Sequence, residues 1–108
     1  MSKVRVRISD HALAIGERAN CVSCPVALQL SWDFPIREDV PYSVSKENIE
    51  VVVCFPYIRI PTPPAAQRII NAIDYLEEPP VKCFWIDLSP LLPYADRGKP
   101  NRWNEVKA

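Results

Sequence analysis

Two cysteines three residues apart, directly ahead of a proline, are the sharpest chemical feature of this chain: Cys21-x-x-Cys24-Pro25. A thiol reacts as the thiolate. A helix N-terminus lowers a thiol's pKa, because its first turn leaves N–H groups unpaired and the aligned peptide dipoles favour an anion there. Pro25 marks such a terminus, since proline suits the first helical position, with Ser23 or Cys24 as the cap. Three readings follow: thiols packed as small hydrophobes under the helix, a redox dithiol, or part of a zinc site. Redox pairs of this spacing normally follow a strand, whereas this one follows a short predicted helix. Zinc would need two more ligands from His11, Cys54 or Cys83, and neither of those cysteines is paired at short spacing. Packing is the favoured reading. No metal or cofactor is assigned, and Cys21 and Cys24 are kept as weak candidates for one.

The remaining reactive types are sparse. His11 is the sole histidine; it falls in a first helical turn with no obvious catalytic partner and reads as a surface or half-buried residue. No Ser-His-acid arrangement is visible, and two glycines could scarcely build a phosphate-cradling loop. The acidic pairs Glu38-Asp39 and Glu77-Glu78 sit in a loop and at a helix end, where solvation explains them. The expectation is that the chain is not an enzyme. Binding residues are better represented. Lys3, Arg5 and Arg7 put three cations on one strand face at a spacing of about 6.6 Å, suited to phosphates, to an acidic partner or to plain solvation. The aromatic residues Trp32, Tyr57, Trp85 and Trp103 are many for so short a chain, and an exposed Trp on a sheet is a typical interface anchor.

These residues must be positioned by regular elements, and 12 prolines mark many of the boundaries. Val4, Val6 and Ile8 alternate with the cations, which predicts a first strand. Ser9 caps a short helix stopped by Gly16, and a second helix runs from Pro25 until Pro35. Residues 33–41 read as loop. Strands are predicted over 42–45, 48–54 and 57–60, with Pro56 breaking the ladder between the last two. Thr62 then caps a helix that starts at Pro63 and presents Ala66, Ile69, Ile70, Ile73 and Leu76 to the core, stopped by Pro79-Pro80. A last strand covers 81–88, with Phe84, Ile86 and Leu88 on one face and Cys83, Trp85 and Asp87 on the other. The order β-α-α-β-β-β-α-β predicts one α+β domain over 1–90, a mainly antiparallel sheet with helices on one face. Residues 91–108 read as a polar, basic tail, ordered only if Trp103 docks.

At 108 residues, with 48% hydrophobic content, one core is expected. Thirteen cations balance 13 anions, against a general nucleic-acid or membrane-surface binder. No apolar run approaches a membrane span, and no hydrophobic signal region follows the N-terminal charges, so a cytoplasmic location is expected.

Several of these residues together resemble a family of short proteins encoded by phages and bacterial mobile elements. The resemblance lies in Val4-Arg5-Val6, His11, Gly16 and Cys21-x-x-Cys24-Pro25-Val26-Ala27-Leu28-x-Leu30. It continues in Tyr57-Ile-Arg-Ile-Pro61, Ile70-x-x-Ile73-Asp74 and Val81-x-x-Phe84-x-Ile86-x-Leu88. It implies a phage-like origin, a bacterial host cell and a small α+β domain, and no mechanism. The proline-rich segment 31–48 and the tail beyond Ser89 depart from the pattern. They are where this chain would carry a binding surface of its own. The favoured function is a non-enzymatic interaction protein that binds a host or phage macromolecule, such as an anti-CRISPR or other inhibitor of a bacterial defence system. A protein partner is preferred over nucleic acid, and no membrane is expected. Candidate partner-binding residues are Arg5, Arg7, Trp85, Arg102 and Trp103. The alternatives are a zinc or thiol-redox protein using Cys21 and Cys24, and a small nucleic-acid binder.

Overall fold

The computed structural model describes residues 3–37, 40–52 and 57–107. Its element order is β1 (Val4–Arg7), α1 (Asp10–Ile15), α2 (Pro25–Asp33), β2 (Ser43–Val44), β3 (Asn48–Val52), β4 (Tyr57–Pro61), α3 (Pro64–Asp74) and β5 (Cys83–Ile86). Two 3-10 turns, Ser89–Tyr94 and Trp103–Glu105, complete the chain. The α+β class and the order of the eight elements are as the sequence predicts.

The strands do not form one sheet. β1 pairs antiparallel with β5, and β2-β3-β4 form a separate antiparallel sheet. Helix α2 touches both, packing on β1 and on β2, while α3 packs on β5. Pairing partners far apart in sequence, such as Val4 with Ile86, leave no local trace, which is why the expectation of a single sheet with helices on one face is corrected to two antiparallel sheets.

Local chemistry explains most of the boundaries. Ser9 caps α1 by accepting the Ala12 N–H at 3.1 Å. Gly16 follows because the helices meet there: a Cβ on Gly16 would lie 2.5 Å from Pro25 Cγ and 2.7 Å from Ala12 O. Cys24 caps α2, its sulfur accepting the Ala27 N–H at 3.4 Å. Thr62 does not cap α3. Pro63 takes that position, and the Thr62 hydroxyl donates to Ser45 O at 2.8 Å, tying the helix entrance to the end of β2.

Helix α3 buries Ala66, Ile69, Ile70 and Ala72, with Ile73 half-buried. Leu76 departs from the expected stripe. The helix ends at Asp74, Leu76 takes a left-handed φ of 59°, and its side chain is 78% exposed. Strand β3 is described as far as Val52, and the predicted end of that strand at Cys54, with the break at Pro56, lies outside the described residues.

The largest departure concerns 91–108. Trp103 is fully buried, and Leu91, Ala95 and Val106 also belong to the core. The Trp103 ring meets Phe34 edge-on at 5.3 Å, and its Nε1–H donates to Pro35 O at 2.7 Å. The condition set by the sequence is met: Trp103 docks, and the segment is an integral layer of the domain. Residues 34–36 are drawn in with it, since Phe34, Pro35 and Ile36 are buried and Ile36 bridges to Ala95.

Candidate functional site

The register of β1 and β5 places Arg5 opposite Trp85 and Arg7 opposite Cys83. Val4, Val6, Phe84 and Ile86 point the other way into the core. Because strand side chains alternate, the same register that buries four apolar residues obliges the two arginines and Trp85 to face outward. Trp85 is 58% exposed, a large apolar surface left in water. Arg5 leans along the face so that its Nη2 lies 3.2 Å from the Cys83 sulfur. Lys3, also exposed, extends the row of cations, and Asp87 adds one carboxylate. The Asp87 carboxyl is held below its ordinary range by hydrogen bonds from the side chain and backbone of Ser89.

Arg102 and Trp103 do not join this face. Trp103 is a core residue. Arg102 is spent on the tail itself: it pairs with Glu105 at 2.7 Å and with Asp33 at 3.1 Å, and donates from Nη2 to Arg5 O at 2.7 Å. Its guanidinium also lies over the Phe34 ring at 5.2 Å. The Glu105 hydrogen bond raises the arginine above its already high ordinary pKa, and reciprocally holds Glu105 below the usual carboxylate range. The polar, basic composition of the tail concealed this inward role, because a bidentate clasp and a free surface cation have the same residue types.

The thiol pair occupies a different place. Cys21 is exposed and Cys24 buried, both thiols are free, and both line a hollow of about 270 Å³ with Asn20, Val44, Lys46 and Asp74. Burial pushes the Cys24 thiol up, and the hydrogen bonds from the Ala27 and Val26 backbone offset this only in part. The activation expected from a helix N-terminus is outweighed by desolvation. Among the described residues, no three His, Cys, Asp or Glu side chains gather closely enough to hold a metal ion. His11 is exposed and stacks on Trp32, ring centroids 5.4 Å apart, far from any thiol role.

One surface has no counterpart among the predicted site residues. A groove of about 520 Å³ is lined by Trp32, Pro35, Ile36, Val40, Pro41, Lys99 and Pro100. Residues from the 31–48 segment and from the C-terminal segment meet here. No local sequence signal brings these segments together; the docking of the C-terminal segment does.

No helix among the described residues is long and apolar enough to cross a membrane. Neither a protein-family model, nor a curated protein, nor a solved structure matches this chain.

Proposed function

We propose that this chain is a non-enzymatic interaction protein that grips a protein of host or phage through the outer face of the β1/β5 sheet. The reading includes the finer role implied by the phage-family resemblance, that of an inhibitor of a bacterial defence system acting inside the host cell. The observation that carries it is Trp85, 58% exposed and flanked in register by Arg5 and Arg7. Trp and Arg are the types that most often dominate binding energy, because each joins a large contact area to a polar or charged handle. Their exposure is not needed by the fold, since the core lies on the opposite side of both strands. The cationic row favours a partner with an acidic patch, and complementary charge raises the rate of encounter as well as the affinity.

The test is substitution on this face with the partner in hand. Trp85→Ala and Arg7→Glu are each expected to weaken binding by at least about 1–2 kcal/mol, or roughly 5- to 30-fold in Kd, while the thermal midpoint stays nearly unchanged. Unchanged affinity in both variants would place the interface elsewhere. Loss of the Arg7→Glu effect in moderate salt would reduce that residue to long-range steering.

A further inference from the structure

Each edge strand of a sheet exposes a row of backbone N–H and C=O groups, and proteins protect such edges because they template pairing with another chain. Among the described residues, three of the four edges carry a protecting feature. On β2, the outward Val44 N–H donates to Cys21 O at 2.8 Å. The outward side of β4 carries Pro61, which has no N–H, beside the charged Arg59. On β1, Arg102 donates to the outward Arg5 O, and the cations Arg5 and Arg7 line the strand.

β5 is different. Ile8 N–H donates to Lys82 O at 2.7 Å, in step with the β1/β5 register. In an antiparallel pair the bonded positions alternate, so Val6 with Phe84 and Val4 with Ile86 exchange the ladder bonds. Cys83 and Trp85 therefore aim their N–H and C=O groups away from β1. Among the described residues, nothing bonds to these groups. The side chain standing on this bare edge is the exposed Trp85.

We infer that β5 is a self-association edge, at which a second copy of the chain adds its own β5 antiparallel about a two-fold axis through Trp85. Antiparallel pairing of identical strands is isologous: each copy offers the donors and acceptors the other needs. With Trp85 opposite its counterpart, the outer face of the joined sheet reads Arg5, Trp85, Trp85, Arg5. The two indole rings are then directly opposed, a pair type that stabilises adjacent strands. The two arginines stand three strand spacings apart, about 14 Å, beyond the Debye length of about 8 Å at physiological salt. The same register sets Asp87 of each copy opposite Cys83 of the other, in the row that begins with Arg7. The charges thus alternate where copies meet and like charges are kept apart. A four-residue edge with one large aromatic on each side makes a small interface, so the dimer is expected to be weak and concentration-dependent. The inference does not rest on the partner reading above, and it is tested with the protein alone.

Sedimentation of the purified chain is the first measurement. The mass should rise from one chain of 12.3 kDa towards two as concentration increases from about 10 µM to about 1 mM, the range suited to a small interface. Residue-resolved amide exchange is the second. Phe84 and Ile86 should be protected at every concentration, and Cys83 and Trp85 only where the dimer is populated. Trp85→Lys, which sets two cations against each other on the axis, should leave the protein folded and monomeric throughout. A monomer across the whole range overturns the inference. So does a dimer in which the Cys83 and Trp85 amides exchange freely, since it would use another surface. The exchange measurement needs no variant, so a Trp85→Lys that failed to fold would leave the test intact.

Discussion

Arg102 gathers Asp33, Glu105, the Arg5 carbonyl and the Phe34 ring around one guanidinium. Its planar fork suits this task in a way that the single ammonium of lysine does not. Arg102→Ala is expected to lower stability by about 1–3 kcal/mol, from charge-assisted bonds at a side chain only partly removed from water. Arg102→Lys should recover less than half of that. The clasp also sets a pH dependence. Glu105 is held below its ordinary pKa in the folded state, so its contribution is fully present above the unfolded value of about 4.3 and disappears as pH falls through the folded one. Acid titration of the wild type should loosen the packing of Trp103 below about pH 4.3, read by its fluorescence. The Arg102→Ala variant should have lost most of that transition. An unchanged acid profile in the variant would show that Glu105 draws nothing from Arg102.

At the scale of elements, the helix termini separate packing from chemistry. Cys24 sits at the cap of α2, a position at which serine is intrinsically preferred. A buried serine usually faces a desolvation cost, yet here the Ala27 N–H that now bonds sulfur is ready for a hydroxyl. Cys24→Ser is expected to stay within about 1 kcal/mol of wild type, whereas Cys24→Val, which removes the acceptor, should cost about 0.5–2 kcal/mol. Chemical denaturation midpoints decide between them, and equal losses would show that the cap contributes nothing. Helix α3 offers a sharper contrast. Ile69→Ala should cost about 2–5 kcal/mol, because the site is fully buried. Leu76 stands in solvent at a φ of 59°. Leu76→Gly removes a Cβ from the left-handed region, where it costs about 1–2 kcal/mol, and should leave stability equal or improved. The sequence stripe ranks the two residues together, so the pair of thermal midpoints tests where the helix ends.

For the whole molecule, the radius of gyration of 12.9 Å is that of a close-packed domain of this length, for which about 13 Å is expected. The last layer is necessary to that packing. A chain ending after residue 90 would lose Leu91, Ala95, Trp103 and Val106 from the core and strip the cover from Phe34 and Ile36. Removing one large aromatic from a core typically costs about 3–5 kcal/mol, against a total stability of about 5–15 kcal/mol. The shortened chain is therefore expected not to fold, giving collapsed amide dispersion and no cooperative melt. A folded fragment would return 91–108 to the status of a tail.

What the sequence determined by itself was local. Alternation in Val4–Arg7 and in Cys83–Ile86 placed Arg5, Arg7 and Trp85 on the solvent side, because side-chain direction along a strand follows from period two alone. Proline and capping residues located the helices, because their backbone limits act within a few residues. The tertiary structure decided everything that depends on partners distant in the chain. It divided the strands between two sheets, since hydrogen-bond pairing carries no mark within a single strand. It turned a polar tail into a core layer, since one indole with an edge-on aromatic and a waiting carbonyl outweighs the composition around it. It also raised the Cys24 thiol that the helix terminus alone would have lowered, since burial is a property of the assembled fold and a helix dipole is a property of its own turn.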